Sequence, residues 1–336
     1  DIDRARDRHR VTSIGLRGNP SVPSPGPRVR PRAPDLANTG SVDAVAEMRG
    51  VSKRFGDVAA LDAVDLTVTP GEIRGFLGPN GAGKTTAMRI LVGLLRSTDG
   101  ATRVFGGDPW TQPEVRADVG FLPSDPGFYG RMSGRALLDH YAALSQRAPV
   151  LRAHACEHLR MSEADLDRQV RHYSKGMGQK LGILQAVQHD PGLLILDEPG
   201  EGLDPLVLNG LITLLRERRD AGRAILFSSH VLAEVEALCD EVTMIRGGRI
   251  IGEGTIGELA QQRARRVVLE LADPALEVEL PDTELIDRAG ARRTYSHHGP
   301  IQPLLVALAA LPLRDVRIQE ASLDEVFMEY YGEEQA

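Results

Sequence analysis

With 336 residues, 42% of them apolar and 26% charged, the chain has room for about two domains of roughly 150 residues, each with its own core. No run approaches the roughly 18 consecutive apolar residues that cross a bilayer, and the N-terminal stretch lacks the apolar centre of a secretory signal, so the expectation is a cytoplasmic chain with no direct membrane span. A net charge of −7 argues against a nucleic-acid partner, and two cysteines far apart, Cys156 and Cys239, fit neither a disulfide framework nor a metal set.

Residues 1–40 hold eight arginines against four aspartates, many prolines and no apolar periodicity. They read as a disordered tail. The first methionine, Met48, falls inside the first expected strand, so part of this tail is expected to be upstream sequence, with Val42 as an alternative start. Lysine is scarce: Lys53, Lys84, Lys175 and Lys180 stand against 36 arginines.

From about residue 41, strands and helices alternate. Val45–Arg49, Ala63–Val68 and Glu72–Leu77 read as strands, and Thr85–Leu95 as a helix. The wholly apolar run Leu193–Leu196 reads as a central parallel strand, with Ala224–Ser228 and Glu241–Ile245 as further strands. This alternation predicts an α/β sheet covered by helices. The pattern turns helical between about 125 and 188. After about 260 it changes again: Arg266–Leu271 and Ala275–Leu280 alternate as strands do, Ile301–Leu311 reads as a helix and Val316–Glu320 as a strand. The expected organisation is a tail at 1–40, a main domain at 41–260, and a small α/β domain at 261–336. No internal repeat is present.

Gly78-Pro79-Asn80-Gly81-Ala82-Gly83-Lys84-Thr85, followed by Thr86, matches the phosphate-loop pattern G-x-x-x-x-G-K-[ST]. Its glycines let backbone N–H groups turn inward toward phosphate oxygens, and the following helix adds its positive end. Lys84 is placed to reach the β- and γ-phosphates of ATP, and Thr85 to offer a hydroxyl to Mg²⁺. Leu193–Leu196 ends in Asp197 and Glu198. A carboxylate at that strand tip can hold Mg²⁺, and its neighbour can polarise a water.

Between these two motifs, Tyr173-Ser174-Lys175-Gly176-Met177-Gly178-Gln179 stands where the ABC ATPase family carries its signature, and here the chain resembles that family. Further matches follow in family order. Phe55, singly more readily a core residue, matches the aromatic that stacks on adenine. Gly202-Leu203-Asp204-Pro205 matches the D-loop. His230, singly a surface or capped histidine, matches the switch histidine.

The resemblance implies a P-loop NTPase fold: an ABC cassette with a RecA-like α/β core, an antiparallel β subdomain and an inserted helical subdomain at about 125–188. It further implies ATP sandwiched between two cassettes, expected to be identical. Ser174 and Gly176 would then contact the partner's γ-phosphate, with Asp204 close by. Glu198 would act as general base, His230 would steady the γ-phosphate, and Asp197 and Thr85 would hold Mg²⁺. The final run, Ala321–Gly332, is similar to the tail of daunorubicin-type drug and antibiotic exporter subunits. That likeness implies a separate integral membrane permease and a position at the inner face of the membrane.

Three departures stand out. Ser124 occupies the position of a Mg²⁺-associated glutamine and would reach the ion only through a water. Lys175 and Met177 alter the signature. Pro199-Gly200-Glu201 replaces the usual Pro-Thr-Ser. Ser124 and Glu201 leave a weakly hydrolysing nucleotide-sensing module as one alternative. A soluble, non-transport ABC ATPase is the other, disfavoured by a single phosphate loop and the absence of heptads or clustered cysteines.

Overall fold

A computed structural model describes residues 44–255, 258 and 265–319. The expected tail at 1–40 and the Ala321–Gly332 run lie outside the described residues.

The strands of the first sheet are β1 (Ala46–Phe55), β2 (Val58–Val68) and β4 (Asp99–Val104), antiparallel in the order β2-β1-β4. The second sheet has six strands: β3 (Ile73–Leu77), β5 (Val119–Leu122), β6 (Leu193–Asp197), β7 (Ala224–Ser229), β8 (Glu241–Arg246) and β9 (Arg249–Thr255). Their order is β5-β6-β7-β3-β8-β9, parallel except for β9, which returns antiparallel on β8. β3, β6 and β7 are buried along their whole length, which is why they are nearly continuous apolar runs. Arg74 is the exception within β3. It is buried, and its guanidinium is met by the carboxylates of Glu72, Glu241 and Glu253.

The alternation of side chains along these strands builds two cores, one on each face. Leu194, Leu196, Ile225 and Phe227 join a helical core. Leu193, Ile195, Ala224 and Leu226 join the residues of β1, β2 and helix α1 (Lys84–Leu91) on the other side. The helical side is formed by α2 (Gly134–Ser145), α3 (Arg152–His158), α4 (Glu163–Asp167), α5 (Lys175–Val187), α6 (Pro205–Asp220) and α7 (Leu232–Leu238).

Past residue 264, four antiparallel strands form a third sheet: β10 (Arg265–Leu271), β11 (Thr283–Ala289), β12 (Arg292–His297) and β13 (Leu313–Gln319), in the order β11-β12-β10-β13. Helix α8 (Ile301–Ala309) inserts Leu304 and Leu308 among Val267, Leu269 and Tyr295. The expected strand at Ala275–Leu280 does not form. Pro274 and Pro281 bracket this stretch, and Leu280 is buried without joining a ladder.

Candidate functional site

Parallel pairing sets the carboxyl ends of three strands side by side. Leu77 of β3 is opposite Ser229 of β7, and Ser228 of β7 is opposite Asp197 of β6. The crevice beyond the carboxyl ends of parallel strands is where such sheets bind ligands. The phosphate loop leaves β3 at Gly78 and enters α1 at Lys84. Gly83 has φ 114°, and a Cβ there would stand 2.7 Å from the carbonyl oxygen of Ala60, so only glycine fits.

Lys84 is buried, and its ammonium donates to the carbonyls of Gly78 (2.6 Å) and Pro79 (3.3 Å). It also lies 3.2 Å from Glu198 Oε1, a distance for ion pairing without hydrogen-bond alignment. Thr85 Oγ1 donates to Asp197 Oδ2 at 2.7 Å, and Ser228 Oγ donates to Asp197 Oδ1 at 2.7 Å. The Asp197 carboxylate is fully buried and satisfied on both oxygens by hydroxyls. Ser228 Oγ in turn accepts from the backbone N–H of Glu198 at 2.9 Å.

Glu198 sits at φ 53°, a left-handed conformation costly for a side chain with a Cβ. Its Oε2 is 2.7 Å from His230 Nδ1. Gln179, buried in α5, donates from Nε2 to the carbonyls of both Glu198 and Pro199 at 3.1 Å, which holds the strained turn. A second carboxyl, Glu234, lies behind this turn. Burial pushes its pKa up from the ordinary value, the Ser229 hydroxyl opposes the shift, and the charge of Glu198 adds to it.

These groups face a cavity of about 290 Å³ lined by Ala60, the loop Pro79–Thr86, Ser124, Glu198, Glu201 and His230. A larger cavity of about 560 Å³, around β4 and the 106–112 loop, contains none of these groups. The structure therefore gathers the phosphate loop, Ser124, Glu198 and His230 into one cavity, with Asp197 beneath it. It leaves Ser174, Gly176, Asp204 and Phe55 outside that lining. Ser174 caps α5, its hydroxyl accepting from Met177 N–H at 3.3 Å. Asp204 caps α6 through Leu206 and Val207 N–H at 3.1 and 3.0 Å. Phe55 is 51% exposed, with the Lys53 ammonium 5.0 Å from its ring centroid.

Sequence reasoning missed Gln179, Ser228 and Glu234. Ser228 alone carried a local signal, as the residue ending an apolar strand beside the motif histidine. Two departures noted in the sequence explain each other, because Lys175 and Glu201 form an ion pair.

Residues 61–201 match the family described as "ABC transporter". The Nod factor export ATP-binding protein I of Cupriavidus metallidurans is 35% identical over 305 residues, covering 87% of this chain and 98% of that protein. The daunorubicin/doxorubicin resistance ATP-binding protein DrrA of Streptomyces peucetius is 34% identical over 321 residues, covering 85% and 92%. A solved structure described as the ATP-binding subunit of an ABC transporter is 30% identical. It superposes with a TM-score of 0.61 over 65% of this chain and 92% of that one.

Proposed function

The chain belongs to the family of ABC transporter ATP-binding proteins, and from that premise we propose that it hydrolyses ATP at the cavity over β3, β6 and β7 to drive export through a separate membrane permease. It is an ATP-binding subunit of an ABC transporter and an ATPase of the cassette type. Among the described residues no helix is long and apolar enough to cross a membrane, which suits a division of labour with a permease. Relatives named for Nod factor export and for daunorubicin/doxorubicin resistance support the outward direction and a drug, antibiotic or lipid-like cargo.

The observation that carries the reading is the convergence of Lys84, Asp197, Glu198 and His230 at the end of the phosphate loop. Lys84 and backbone N–H groups of the loop would hold the phosphates. Thr85 and Asp197 form an all-oxygen pair that fits Mg²⁺, which would neutralise the charge on the β- and γ-oxygens. Ser124 lines the same cavity but is too short to replace a glutamine ligand directly. Glu198 takes the proton of the attacking water, and its ion pair with Lys84 and contact with His230 hold its carboxylate in the cavity. His230, held on Glu198, would steady the terminal phosphate.

Ser174 and Gly176, at the start of α5, are free of this cavity and are offered to the ATP of a second copy of the cassette, as is Asp204, the cap of α6. Their helix presents its positive N-terminal end to that phosphate. ATP then joins two cassettes, and its hydrolysis parts them.

Affinity purification of the full chain from detergent-solubilised membranes tests the transporter assignment. A polytopic membrane protein recovered in equal amount is the expected result. A ribosomal or other soluble partner without any membrane protein would overturn the export assignment.

A further inference from the structure

Away from the ATP cavity, α3 crosses α6 at very close range. A Cβ at Gly210, in the interior of α6, would lie 2.0 Å from the backbone carbonyl oxygen of His158. Seven residues further along α6, Glu217 returns to the same face, and His154 and His158 share one face of α3 at a spacing of four. The three side chains converge. His154 Nε2 is 2.6 Å from Glu217 Oε2, His158 Nε2 is 3.5 Å from Glu217 Oε1, and the two imidazole Nε2 atoms are 3.2 Å apart. The rings meet edge to face with centroids 4.6 Å apart.

We propose that His154, His158 and Glu217 form a binding site for one divalent transition-metal ion of the zinc class, clamping α3 to α6.

The donor set is the first argument. Two imidazoles and a carboxylate suit zinc and its neighbours, and do not suit Mg²⁺ or Ca²⁺. Spacing is the second. An ion with bonds of about 2.0–2.1 Å in tetrahedral array holds its ligands roughly 3.3 Å apart. Two of the three separations lie close to that value, and the 2.6 Å contact opens by rotation of the Glu217 carboxylate. The third is the proton count. Two facing ring nitrogens at 3.2 Å cannot both carry hydrogen without a clash, whereas an ion accepts all three lone pairs.

His154 and Glu217 are 41% and 37% exposed, which leaves an entry path and room for a water as fourth ligand. Arg218 stands 3.8 Å from Glu217 Oε2 and opposes the ion, but it is also drawn toward Asp190 at 3.5 Å. Cys156, between the two histidines on α3, is outside the cluster.

The test is titration of the chelator-stripped full chain with Zn²⁺ against a chromophoric chelator, in excess Mg²⁺, with thermal unfolding in parallel. One equivalent bound and a raised melting midpoint are expected. Affinity should fall at least about tenfold in His154→Gln, His158→Gln and Glu217→Gln alike, with far-UV circular dichroism confirming that each variant is folded. Cys156→Ser and Cys239→Ser should bind as wild type does. Unchanged binding in a folded His154→Gln/His158→Gln double variant, or no binding by the wild-type chain, would overturn the proposal. Binding is read without ATP, so this outcome is independent of the catalytic reading.

Discussion

Lys175 and Glu201 are paired across the first turn of α5 and the loop that follows β6. Each is unusual on its own in this type of cassette, and each is the other's counter-charge. Glu201 lines the cavity proposed for ATP, and Lys175 directly follows Ser174, so the pair links the two surfaces proposed to hold one ATP each. The side chains are 71% and 43% exposed, so the pair adds little to folding. Either single charge reversal is predicted to change unfolding free energy by less than about 1 kcal/mol. ATP-dependent self-association should suffer more, and should recover in the Lys175→Glu/Glu201→Lys double variant. Sedimentation with Mg-ATP checks this, and failure of the double variant to recover would separate the two residues.

Gln179 holds the strained Glu198 backbone through two carbonyl acceptors. Gln179→Ala leaves both acceptors without their donor, at a cost of about 1–3 kcal/mol in stability. Because Glu198 would lose its orientation without losing its chemistry, kcat is expected to fall at nearly constant KM for ATP. Steady-state hydrolysis at several ATP concentrations decides the matter, and a change confined to KM would assign Gln179 to binding.

Much of this site was legible because its parts are local. The phosphate loop, the apolar strand capped by Asp197 and Glu198, and the histidine after β7 each announce themselves within a few residues. Gln179 was not legible in this way, because its partners are 19 and 20 residues on and its role depends on the left-handed turn at Glu198. Glu201 had no sequence rationale because its partner is 26 residues earlier. In the C-terminal region, Ala275–Leu280 alternates like a strand but lies between two prolines and joins no ladder. Thr283–Ala289, largely exposed, has little apolar patterning and is a strand because β12 pairs with it. Hydrophobic period reports which face is buried, and in this small sheet pairing is what selects the strands.

Gly210 shows a close approach that no side chain reveals. Alanine within a helix normally gains about 1 kcal/mol over glycine. Here the added methyl would collide with the His158 carbonyl, so Gly210→Ala is predicted to be net destabilising by about 1–3 kcal/mol. Chemical denaturation of the two proteins measures this. A stabilised variant would mean that α3 and α6 are further apart than described.

Glu234 gives a pH dependence with a definite sign. Its carboxyl is pushed up in the folded chain by burial and by the charge of Glu198, so the folded state holds that proton more tightly than the unfolded state. Its contribution is fully present below the ordinary carboxylate pKa and is lost as pH rises through the raised value. Glu234→Gln should therefore gain stability relative to wild type as pH rises from acid to neutral. Paired denaturation curves at the two pH values check this, and a constant difference between the proteins would mean that Glu234 is not perturbed by folding.

The most direct test of the central claim is ATP turnover by the wild-type chain beside Glu198→Gln, with nucleotide binding measured on the same samples and Lys84→Ala as the binding-deficient control. Glu198→Gln should bind ATP as wild type does while hydrolysing it at least about 100-fold more slowly, and Lys84→Ala should lose tight binding. Equal turnover in wild type and Glu198→Gln, or undiminished affinity in Lys84→Ala, would contradict the assignment of this cavity as the ATP-hydrolysing site.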